Sequence, residues 1–124
     1  MNGWQPDGTG ITQSSDSKAD DQIGDFHVVR FRRPGLPNAV VTCKSYAYAG
    51  VPAVPGAFYV ATEIEHLICA DPDRPGETAT WHDIERDYED STWPTPAEAD
   101  GAARETAEAW LRSAEPTDWD GQPY

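Results

Sequence analysis

Nowhere in the chain do apolar residues run for the roughly 18 positions that a membrane-spanning helix needs. The N-terminus also has no basic stretch leading into an apolar one, so neither a membrane span nor a secretory leader is expected, and the cytoplasm is the default compartment. Cysteine is scarce. Cys43 and Cys69 each lie inside an apolar run and read as buried thiols rather than a disulfide, although neighbouring strands would let them pair. Lysine occurs only at positions 18 and 44, and few arginines compensate. The resulting net charge of −13 repels nucleic acid and anionic lipid and favours a basic partner.

Signatures of catalysis are missing too. The chain holds no nucleophile elbow, no phosphate-cradling glycine loop and no paired-histidine zinc helix. His66-x-x-Cys69 has the spacing of half a zinc site, with Cys43, His27 and His82 available to complete it. Within a strand, however, positions 66 and 69 point to opposite faces, whereas tetrahedral ligation needs convergent ligands. Neither a metal nor a cofactor is expected. Glu63 and Glu65 stand side by side on one strand face, whereas acid/base pairs of the glycosidase kind face each other across a cleft. The chain therefore reads as non-enzymatic. A small enzyme would have to use the Glu63/Glu65 or His66/Cys69 neighbourhood.

The acid that is present is unevenly placed. Residues 1–25 carry five acids against Lys18, and residues 26–56 carry Arg30, Arg32, Arg33 and Lys44 with no acid at all. Residues 57–124 carry seventeen acids against four arginines. The basic stretch is the one surface suited to phosphate; pairing of its arginines with the acids elsewhere is the plainer expectation.

Residues 1–24 offer few large apolar side chains beyond Trp4 and Ile11, too few to offset the entropy of ordering them. They read as a disordered acidic arm, residues 25–114 as a single domain, and residues 115–124 as a flexible tail. Alternating β-branched and aromatic residues predict strands over 25–33, 39–49 and 57–70, with the Ile64 side inward and the Glu63/Glu65 side toward water. At Leu67 and Cys69 that outer face turns apolar and calls for a cover. Residues 78–90 fit a strand, favoured by the hairpin turn before it, or a helix with a Trp81, Ile84, Tyr88 stripe. Thr95-Pro96-Ala97-Glu98 is a helix start, with a capping threonine, proline at the first position and a capping-box glutamate. The fold expected is α+β: a small antiparallel sheet of three to four strands with one C-terminal helix packed on one face.

Read as a strand, residues 82–90 set Asp83, Glu85, Asp87 and Glu89 on one face at intervals of about 6.5–7 Å, near the spacing of successive phosphates. Trp81 and Trp93 flank the run as candidate anchors. The functional expectation is an acidic protein-binding module, of the inhibitor kind (immunity, antitoxin or anti-defence), docking on a basic protein, with nucleic-acid mimicry as one means. The binding set is Glu63, Glu65, Trp81, Asp83, Glu85, Asp87, Glu89 and Trp93. The alternative is a phage- or plasmid-associated accessory protein that self-assembles through its Tyr46/Tyr48 or Leu67/Cys69 face.

Overall fold

The computed structural model, which describes residues 3–8, 10–113 and 115–123, has six strands and two helices among those residues. Met1, Asn2 and Thr9 of the expected arm, Ala114, and Tyr124 of the expected tail lie outside the described residues. The chain runs β1 (Gln5–Pro6), β2 (Thr12–Ser14), β3 (Gln22–Arg33), β4 (Leu36–Tyr48), β5 (Tyr59–Cys69), α1 (Pro75–Thr78), β6 (Ala79–Tyr88) and α2 (Pro96–Arg112). The sheet is antiparallel throughout, in the order β1-β3-β4-β5-β6, and β2 also pairs with β3.

The α+β class and the C-terminal helix are as the patterning predicts, and residues 79–88 are strand, not helix. The strand count is corrected from three or four to six. β1 and β2 are only two and three residues long, so no alternation within them announces a strand; pairing with β3 creates them. Pro34 and Gly35 form a tight turn, with Gly35 at φ 86°, a conformation that glycine adopts without Cβ strain. β4 therefore begins at Leu36, earlier than expected. Pro37 and Asn38 sit where the β3–β4 register shifts, between Arg32↔Val40 and Arg33↔Leu36, and a bulge is where a sheet tolerates proline.

α2 packs on one face. Thr95 Oγ1 accepts from the Glu98 amide at 3.2 Å, and Ala99, Ala103 and Ala107 are fully buried. Small side chains at that spacing bring the helix axis close to the sheet, and the buried Ser45 hydroxyl donates to the Ala103 carbonyl. Beneath lie Val29, Phe31, Val41 and Cys43, all fully buried.

The segments expected to be an arm and a tail complete this core. Trp119 is 3% exposed and Trp4 2%. The Trp119 ring stacks between Trp4 (centroids 5.6 Å apart) and Trp81 (5.4 Å). Trp4 Nε1 donates to the Trp119 carbonyl at 3.0 Å. Two indoles supply enough apolar area, each burying on the order of 200 Å², to order segments that are otherwise polar.

The opposite, outer face is covered at one end by the chain itself. Val40, Leu67 and Cys69 cluster there, and the Ala70–Thr78 segment folds over them with Pro75 buried. Arg32 ties that segment down by donating to the Pro72 carbonyl at 2.7 Å. At the other end an aromatic row of Phe26, Tyr46, Tyr48, Tyr59 and Tyr88 crosses four strands.

Candidate functional site

Antiparallel register decides which carboxylates act together. Residues directly opposite one another share a face. Ile68↔Trp81, His66↔Asp83, Ile64↔Glu85 and Thr62↔Asp87 lie on the helix side, whereas Glu63↔Arg86 and Glu65↔Ile84 lie on the outer side. The eight residues expected to form one binding surface are therefore split between the two faces.

Glu63 and Glu65 are not a solvated face. Their side chains are only 14% and 16% exposed. Arg86 Nε donates to Glu63 at 3.0 Å, Lys44 Nζ lies 2.7 Å from Glu65, and His82 Nε2 is 3.4 Å from the same carboxylate. The hydrogen bond and charge of Glu63 hold the Arg86 guanidinium above its ordinary pKa. The outer face is thus an ion-pair lattice, and neither carboxylate is free to meet a partner's cation.

Trp81 is likewise a core residue, stacked on Trp119. Trp93 exchanges two backbone hydrogen bonds with Phe58, at 2.9 and 2.8 Å, and its half-buried ring closes the loop before α2. Asp83 faces the buried His66, with Oδ2 3.8 Å from Nδ1. Glu89 is half-buried beyond the strand, its amide bonded to the Val60 carbonyl at 3.0 Å.

Glu85 and Asp87 are left. Both are exposed, neither is in an ion pair among the described residues, and both project from β6, the last strand of the sheet order. The open edge of the sheet is thus lined on the helix side by carboxylates at alternate positions.

The remaining reactive groups are held in structural roles. His66 and Cys69 are on opposite faces: His66 Nε2 lies 3.0 Å from Thr117 Oγ1 in the helix-side core, and Cys69 points its thiol at the Asn38 carbonyl. Burial pushes the Cys43 thiol up to about 12 from an ordinary 9.0 and also raises Cys69. Such thiols are poor nucleophiles. Both cysteines are free. His27 is buried, with Nε2 2.9 Å from Asp100 Oδ1. Gly24 leaves room for that carboxylate, since a Cβ there would stand 3.0 Å from Asp100 Oδ1. Among the described residues no group of three or more His, Cys, Asp or Glu side chains is placed to hold a metal ion, and no helix is long and apolar enough to cross a membrane.

A second constellation showed in the sequence only as its basic half. Arg30↔Thr42↔Glu65 forms one outer-face row, with Lys44 in the next. β2 and Pro75 rise beside it and leave a cleft of about 320 Å³. The signal that pointed here was the acid-free, four-cation stretch of residues 26–56. The acid that faces it comes from β5, which only the register reveals.

No family model matches the chain, and neither the curated proteins nor the solved structures gave a match.

Proposed function

We propose that this chain is a non-enzymatic binding module whose open β6 edge receives a basic, extended segment of a partner protein. The observation that carries the reading is the pair of exposed carboxylates, Glu85 and Asp87, in no ion pair among the described residues, at alternate positions of an edge strand. A strand added beside β6 would gain main-chain hydrogen bonds, and its own alternate side chains would meet those carboxylates. The same charges repel a second copy of β6, the usual protection of an exposed edge. The edge thus discriminates against itself and in favour of cations.

The row is short. Two free carboxylates suit a segment with two or three lysines or arginines better than they imitate a tract of nucleic-acid phosphates. Occupying a basic surface needed elsewhere would make the module an inhibitor of its partner. Self-assembly through Leu67 and Cys69 has no support, because Leu67 is 5% and Cys69 1% exposed beneath the chain's own cover.

Fluorescence anisotropy tests the reading, using a labelled extended peptide with lysine at alternate positions. Binding that weakens with salt is expected, and the double reversal Glu85→Lys, Asp87→Lys should weaken it by at least about tenfold, since each exposed pair contributes up to about 1 kcal/mol. Equal binding by the reversed variant would sink the proposal.

A further inference from the structure

Of the four cations of β3 and β4, three have a polar partner for their charged group among the described residues. Arg32 lies 3.6 Å from Asp73 Oδ1 and donates to Pro72, Arg33 donates to the Asp120 carbonyl at 3.0 Å, and Lys44 meets Glu65. Arg30 is in no ion pair among the described residues, and its Nε is buried with no hydrogen-bond partner. Directly across the register stands Thr42, 3% exposed, whose Oγ1 is likewise buried and unpartnered. Both groups line the outer-face cleft.

Two buried donors left unsatisfied side by side are costly in a folded protein, and one of them carries a charge. Both can donate to the same kind of atom, an oxygen bearing negative charge. Lys44 borders the same cleft with its ammonium 5.4 Å from the Phe26 ring centroid, where it can turn from Glu65 toward an anion. The Ser14 hydroxyl on β2 adds a further donor at the rim. Glu65 and Asp16 also face the cleft; their charge opposes a bare anion and favours a ligand that carries a cationic or donor group beyond its oxyanion. Leu67 and Pro75 give the cleft an apolar wall. A volume of about 320 Å³ is at the small end of ligand sites, of metabolite rather than macromolecular size.

We propose that this cleft binds the oxyanion head, carboxylate or phosphate, of a small metabolite, through Arg30, Thr42 and Lys44. The site is on the outer face, independent of the β6 edge, and does not rest on the edge-docking proposal.

Amide NMR titration of the full chain tests it, with phosphoethanolamine and β-alanine, each pairing an oxyanion with the ammonium that Glu65 and Asp16 favour, as separate probes and ionic strength held constant with chloride. Saturable shifts centred on residues 30, 42 and 44 are expected in at least one arm, and the arm that saturates at lower concentration identifies the head group. Arg30→Met and Thr42→Val should each raise the half-saturating concentration by at least about tenfold. Thr42→Val keeps the side-chain shape, so it decides the matter even where Arg30→Met does not fold. Shifts in both arms that do not saturate, or unchanged binding by a natively folded Thr42→Val, would overturn the proposal.

Discussion

Replacing Trp119 by alanine removes the centre of a three-indole stack that joins the two ends of the chain. Its ring is 3% exposed and contacts Trp4, Trp81 and, at 5.0 Å between centroids, His66. Burying on the order of 200 Å² of a tryptophan at about 25 cal/mol per Å² stabilises the fold by roughly 5 kcal/mol. Partial burial in the unfolded chain lowers that to about 3–4 kcal/mol. Loss of two stacked contacts adds at most about 1 kcal/mol each, and relaxation of the emptied site offsets part of it. Trp119→Ala should therefore cost about 3–5 kcal/mol, a large share of the 5–15 kcal/mol typical of a domain. Urea unfolding followed by far-ultraviolet circular dichroism measures this without depending on the deleted fluorophore. The midpoint should fall sharply, and the near-ultraviolet bands of Trp4 and Trp81 should lose their coupling. A cost below about 1 kcal/mol would refute the reasoning and return residues 115–123 to the status of a loose tail.

Thr42→Val should stabilise the ligand-free chain by about 1 kcal/mol in the same urea assay, because it removes a buried hydroxyl with no partner while preserving shape. Stability should also fall as pH rises from the unfolded thiol's 9.0 toward the folded value of about 12 at Cys43. Below that window both states hold the proton; within it only the unfolded state releases it, so unfolding is favoured. Burial and the nearby Glu63 raise Tyr46 from 10.0 to about 12 in the same sense. Cys43→Ala should flatten the loss between pH 9 and pH 10.5 relative to its own stability at pH 8, and an unchanged slope would contradict the assignment.

Features that depend on a few adjacent residues were legible in the sequence. Thr95, Pro96 and Glu98 mark the start of α2 because a cap is made within one turn, and alternation marks β5 because a strand's two faces meet different surroundings, whereas the β6 pattern fits strand and helix alike and is decided by pairing with β5. What depends on register was hidden. The sequence pattern puts Glu63 and Glu65 on the face away from Ile64, correctly, but their solvation is decided by Arg86 and Lys44 on the two neighbouring strands. The same register divides the eight expected binding residues and leaves Glu85 and Asp87 as the free pair.

Contacts between the ends of the chain were hidden for another reason. Trp4 and Trp119 stand in segments that are otherwise mostly polar, so neither segment looks able to order itself; each tryptophan is held by the stack it forms with the other and with Trp81. The cover expected over Leu67 and Cys69 was inferable as a need, and the Ala70–Thr78 segment meets it. Arg30 and Thr42 lie on the consecutive strands β3 and β4, and what sets them side by side is the register of that pairing, shifted at Arg32/Arg33, which the sequence does not announce.

The claim that β6 is a docking edge is tested most directly by amide hydrogen exchange of the full chain with and without a saturating lysine-alternating peptide. Protection should rise at the β6 amides that face away from β5 and fall back as salt is added. Unchanged exchange along residues 79–88, with protection gained at the aromatic row or nowhere, would contradict it.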